Sequence, residues 1–222
     1  MPTIHPLGDS ALAIHYGEQI DADTNHAVLL LFEALRKENL PGVKDLIPAY
    51  SSLTVIYDPI LTRQHSGSAS AFEFLSHRVG ILLAAPTGMP ASNNRLIEVP
   101  VSYEPDVAPD LEYLSQQLQL PTEEIIRLHL SRTYRVFMTG FLPGFAYMGT
   151  VDPAIACARK MQPRILVPAG SVGIAGLQTG IYPFDSPGGW NIIGRTSVRL
   201  FDPDKPDPVL FHPGDNVRFV RI

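Results

Sequence analysis

The chain has 222 residues, 45% hydrophobic and 18% charged, and 17 basic against 22 acidic side chains leave a formal net charge of −5. That composition is globular and long enough for one or two hydrophobic cores, and it carries no basic run of the kind a nucleic-acid partner requires. A single cysteine, Cys157, rules out an intrachain disulfide; no signal-peptide pattern opens the sequence and no apolar run is long enough to span a membrane, so a cytoplasmic protein is expected.

Residues 11–16 carry larger side chains at every second position (Leu12, Ile14, Tyr16), the period of a strand, and an additional strand is possible at 3–7. Asp21 or Asp23 can cap a helix whose apolar stripe is Val28, Leu31, Phe32 and Leu35, running to about Glu38. Two strands follow at 43–47 and 53–57, ended by Asp58-Pro59. A second helix, capped by Ser68 or Ser70, carries Phe72, Leu75 and Val79 on one face. After a turn-rich join at 86–94 comes a strand over 95–103. The order β-α-β-β-α-β predicts a ferredoxin-like N-terminal α/β domain over 1–90, in an α+β protein.

Beyond Pro105 the pattern changes. Two short helices are predicted at 110–118 and 122–131, with Thr122 as cap and Glu123 and Glu124 suited to the helix dipole. The rest reads as short strands between Gly/Pro turns: 134–138, 165–167, 171–174, 191–193, 198–201, 209–211 and 217–222. Close spacing of that kind points to a closed or nearly closed barrel over 91–222. Residues 139–196 stand out because glycine and proline alternate there with large, specific side chains. A disordered linker has no use for them.

No self-contained enzyme signature is present. The glycine-rich run 173–180 is neither a dinucleotide fingerprint nor a phosphate loop. Ser171 lies in AGSVG, which is not a nucleophile elbow, and no metal-ligand spacing occurs. What remains is a set of individual candidates. His129 shares a helix face with Ile125 and is either a half-buried histidine or a site residue. Arg164 and Arg195 offer planar forks for carboxylate or phosphate, or salt bridges to an acid. Gln178 and Thr179 sit in a turn between glycines, where an amide can pair with a ligand amide. Trp190 is a core or partner-facing anchor, and Phe141, Phe145 and Tyr147 line an apolar groove or plug the barrel end.

Three stretches carry a family resemblance: GFLPGFAYMG (140–149), PRILVPAGSVGIAGLQTGIYP (163–183) and SPGGWNIIGRT (186–196). They resemble the KipI family, also known as allophanate hydrolase subunit 1 or the B subunit of 5-oxoprolinase. The likeness is close over 129–222 and looser over 1–100. It implies a C-terminal cyclophilin-like β-barrel and a homologous, equally cyclophilin-like partner, the C subunit (allophanate hydrolase subunit 2). With a third protein, the A subunit, this pair forms a complex that hydrolyses 5-oxo-L-proline to L-glutamate with ATP. A related role is inhibition of a sensor histidine kinase. On this reading no metal is expected and ATP is handled through the complex. Arg164 and Arg195 hold a carboxylate or phosphate, Gln178 and Tyr182 contact an amide, and His129 is acid/base or orients a neighbour. Phe141, Phe145, Thr179 and Trp190 face the substrate.

Overall fold

The computed structural model describes residues 2–84 and 95–222. The turn-rich join expected at 86–94 lies outside the described residues. The chain divides into two units, Met1–Ser92 and Asn93–Ile222.

The first unit opens with strands β1 (Thr3–Pro6) and β2 (Ala11–His15), then helix α1 (Ala22–Glu38). Asp21 caps α1, its side chain accepting from the Thr24 N–H at 2.8 Å. Strands β3 (Val43–Pro48) and β4 (Ser52–Tyr57) follow, then helices α2 (Pro59–Ser66) and α3 (Ala71–Ala84). Helix α2 is not anticipated by the sequence pattern, in which Asp58-Pro59 reads as a stop. Here Asp58 caps the helix and Pro59 begins it, a position where proline's missing N–H costs nothing. The strands form an antiparallel sheet in the order β1-β2-β4-β3. Alternate residues Leu12 and Ile14 of β2 and Leu53, Val55 and Tyr57 of β4 meet Val28, Leu31 and Leu35 of α1 and Leu75 and Val79 of α3 in one buried cluster. The helical residues recur every three or four positions, so one face of each helix is apolar.

The strand expected to complete a ferredoxin-like pattern forms as β5 (Leu96–Val101), but in the second unit. The outer place beside β2 is taken by β1 instead. The cause is burial: Val99 and Val101 are fully enclosed in the second unit's core.

In the second unit, helices α4 (Leu111–Leu118) and α5 (Thr122–Leu130) precede strands β6 (Thr133–Thr139) and β7 (Ala146–Gly149). Pro121, not Thr122, occupies the cap of α5, and no side chain bonds there. Strands β8 (Arg164–Val167), β9 (Ser171–Ala175), β10 (Gln178–Ile181), β11 (Ser186–Gly188), β12 (Asn191–Arg195) and β13 (Asn216–Arg221) follow. Seven strands form one sheet in the order β12-β9-β10-β7-β6-β13-β5, with β8 and β11 as a separate pair. The two ends of the large sheet are bridged. Ser102 N–H donates to the Arg195 carbonyl and Arg195 N–H to the Ser102 carbonyl, both at 2.8 Å. The sheet is therefore nearly closed into a barrel, and its core is capped by Leu111 and Leu114 of α4 and Ile125 and Ile126 of α5.

The strands expected at 198–201 and 209–211 reduce to a single bridge between Phe201 and Val209. Pro203, Pro206 and Pro208 lie between them and cannot donate to a ladder. Conversely β7, β10 and β11 form where the sequence reads as loop; Gln178 and Thr179 are in a strand, not a turn.

Candidate functional site: an aromatic cleft on the outer face of the barrel

Side chains alternate across a strand, and this splits the barrel wall into two faces. Met148 of β7, Val172 and Ile174 of β9, Ile181 of β10 and Ile193 of β12 point into the core. Their neighbours point out and join a second cluster built from Phe145, Val167, Ala175, Tyr182, Trp190 and Ile192. Three segments, 141–147, 159–163 and 182–190, rise around that cluster and enclose a cleft of about 290 Å³.

The aromatic rings of the cleft are packed edge to face. Phe145 lies 5.5 Å from both Tyr182 and Trp190 and 4.8 Å from Tyr147, centroid to centroid. Such T-shaped contacts add to the burial energy and fix ring orientation. Gly188 stands against the Tyr182 ring so closely that a Cβ there would lie 2.8 Å from two ring carbons, so only glycine lets this wall approach. Phe141 is 59% exposed and sits over the cleft, 5.6 Å from Phe145. Its φ of 71° is unusual for a bulky residue. Strain of this kind persists only where the surroundings enforce it.

The charged side of the cleft is organised by a residue that the motifs do not single out. Asp110, at the start of α4, is buried at 1% exposure. It receives both guanidinium nitrogens of Arg164 at 2.7 and 2.8 Å, Lys160 Nζ at 2.6 Å and the Ile192 N–H at 2.7 Å. Burial alone would raise its carboxyl; the bonds from Arg164, Lys160 and Ile192 outweigh it and hold the group below the usual carboxylate range. Lys160 also lies 4.9 Å above the Tyr113 ring. Fifty-four residues separate Asp110 from Arg164, so spacing offers no signal for this pair.

Of the sequence candidates, the structure gathers Phe141, Phe145, Tyr182 and Trp190 at the cleft, and ties Arg164 through Asp110 to Lys160, which lines it. It does not gather the others. Arg195 is at the barrel seam, where its Nε donates to the Ala169 carbonyl. Gln178 shares the outer face with Gly180 but begins the strand at its far end. His129 and Thr179 are fully buried inside the barrel. Thr179 Oγ1 donates to the Gly173 carbonyl, so it accepts from His129 Nε2 at 3.0 Å, and Tyr103 Oη donates to His129 Nδ1 at 2.9 Å. The ring stacks on Phe219 at 4.6 Å. Burial pushes its pKa down to about 3, so it is neutral. Cys157 is half-buried, with its thiol raised to about 11 by burial, which suits no nucleophile.

A nearly closed barrel with a shaped cleft on its wall, preceded by a small α/β unit, defines the class. The carboxyltransferase domain, subdomain C and D, matches residues 2–211, and the chain belongs to that family. Among its relatives is the B subunit of 5-oxoprolinase from Bacillus subtilis, 43% identical over 99% of this chain and 92% of that protein. Another is the B subunit of 5-oxoprolinase from Escherichia coli O157:H7, 37% identical over 96% of this chain and 93% of that protein. The solved structure of TTHA0988 superposes with a TM-score of 0.81 at 37% identity, covering 96% of this chain but only 40% of that longer one.

Proposed function

We propose that this chain is a non-autonomous subunit of an ATP-dependent 5-oxoprolinase complex that hydrolyses 5-oxo-L-proline to L-glutamate in the cytoplasm. The observation that carries this reading is its alignment, over nearly its whole length, with the B subunits of two 5-oxoprolinases. We read the second unit as a cyclophilin-like barrel and the first as a ferredoxin-like arrangement with β1 in the outer place. The partners are the homologous C subunit plus the A subunit.

The reaction adds water across the lactam C–N bond, giving a carboxylate and an amine. A lactam is resonance-stabilised, so ring opening needs activation, which ATP supplies. The residues of this cleft do not fit ATP. Lys160 and Arg164 are both held by Asp110, and a triphosphate needs several free donors or a backbone cradle. ATP is therefore handled through the complex, by the partner subunits or at an interface shared with them. Within this chain Phe141, Phe145, Tyr182 and Trp190 receive the ring. Arg164 is a positioning residue that acts through Asp110, and His129 with Thr179 holds the wall behind the cleft. Gln178 and Arg195 shape the outer face and the seam.

The test is to purify the A and C subunits together with this chain and measure ATP-dependent glutamate release from 5-oxo-L-proline. Release that requires every member of the set supports the reading. No release from the intact set, with tight binding of this chain to a sensor histidine kinase, would overturn it in favour of the kinase-inhibitor alternative.

A further inference from the structure

Arg159 is the residue of the cleft that neither the motifs nor the family assignment accounts for. Three basic residues bear on this mouth: Arg159 and Lys160, which line it, and Arg164, which shares a carboxylate with Lys160. Asp110 holds the last two, one carboxylate against two cations, so that group keeps one positive charge. Arg159 is exposed and has no hydrogen-bond or ion-pair partner among the described residues. No acidic side chain lines the cleft among the described residues. The mouth is thus electropositive, with one guanidinium uncommitted, and a guanidinium fork matches a carboxylate in two parallel bonds.

The rest of the cleft selects shape. Its walls are the rings of Phe141, Phe145, Tyr147, Tyr182 and Trp190, which suit a flat, compact body. The Tyr147 and Tyr182 phenols sit where the charge of Arg159 reaches both, opposing the effect of burial on them. Burial wins at each, so both hydroxyls stay protonated.

We propose that this cleft binds a small planar cyclic amide through its carboxylate, and that Arg159 is the residue that takes the carboxylate. The identity of the ring rests on the 5-oxoprolinase reading above; the carboxylate site rests on the uncommitted guanidinium and the acid-free aromatic cleft.

Trp190 is the sole tryptophan and lines the cleft, so its fluorescence reports occupancy directly. The full chain is titrated with 5-oxo-L-proline and with 2-pyrrolidone, the same lactam without a carboxylate. Saturable change with 5-oxo-L-proline is expected, with 2-pyrrolidone at least about tenfold weaker, the worth of a charge-assisted hydrogen bond. Arg159→Met should weaken 5-oxo-L-proline by about 10–100-fold, leave 2-pyrrolidone unchanged and keep the wild-type melting temperature, with Arg159→Lys intermediate. The proposal falls if wild type shows no saturable change, if 2-pyrrolidone binds as tightly, or if Arg159→Met binds 5-oxo-L-proline like wild type. The assembled complex separates the two readings. Glutamate release with an unchanged KM in Arg159→Met removes the carboxylate site and keeps the function. Arg159-dependent binding without glutamate release does the reverse.

Discussion

Asp110 gathers the charges beside the cleft from a buried position, and removing its charge leaves Lys160 and Arg164 without their counter-ion. Breaking one partner of a buried ion pair costs about 3–5 kcal/mol. Asp110→Asn should therefore lower the unfolding free energy by about that amount at pH 7, read from urea denaturation. The carboxyl is held below its unfolded value, so its stabilisation is present above about pH 4 and is lost as pH falls through the lower folded value. The gap between wild type and Asp110→Asn should close in acid; an equal gap at pH 7 and pH 3 would refute the assignment. His129 gives a second pH signature. Its folded pKa lies near 3, below the unfolded value of about 6.5, so the unfolded state binds the extra proton between them. Stability should fall as pH drops below about 6.5, by at most about 1.4 kcal/mol per pH unit from this one group. His129→Gln should lack that slope. Nitrogen NMR should find the ring neutral and protonated on Nε2 at pH 5; a charged ring there would contradict the buried placement.

Elements build the cleft through close approach. Strand β11 lies against Tyr182 because Gly188 has no side chain, and the Tyr182 ring, buried at 1% exposure, has nowhere to move. Gly188→Ala should cost about 1–3 kcal/mol by overpacking. It should also shift Trp190 fluorescence, since Tyr182 and Trp190 share the packing of Phe145. Unchanged stability and emission would mean that β11 yields freely. Local patterning is enough to find α1, α3, α4 and α5, because an apolar residue every three or four positions has few other uses. It misses α2 because Pro59 reads as a breaker until Asp58 is seen to cap the turn that Pro59 begins. It misses β7, β10 and β11 because glycine and proline hide the two-residue period; Thr179 and Ile181 turn inward only once Gly180 is known to be the outward residue between them.

At the level of the whole chain, each unit encloses its own apolar cluster, one built on Leu12, Leu53 and Leu75 and the other on Val99, Tyr134 and Phe219. A domain with its own core can fold alone. The fragment ending at Ser92 should show a single cooperative thermal transition and near-ultraviolet dichroism; a non-cooperative melt would show that its core depends on the remainder.

The helical stripes, the short-strand character of the second half and the unusual stretch 139–196 are legible in the sequence because they depend on neighbours within a few positions. So are the aromatic residues of the cleft, which the family motifs carry. The charges are settled only in three dimensions. Arg164 and Arg195 look alike as isolated arginines, yet one is tied to Asp110, 54 residues away, and the other lies at the seam that Ser102 closes. Arg159, in the cleft lining, has no ion-pair partner among the described residues. Electrostatic and hydrogen-bond energies depend on distance through space and on burial, and neither is written in the spacing of residues along the chain.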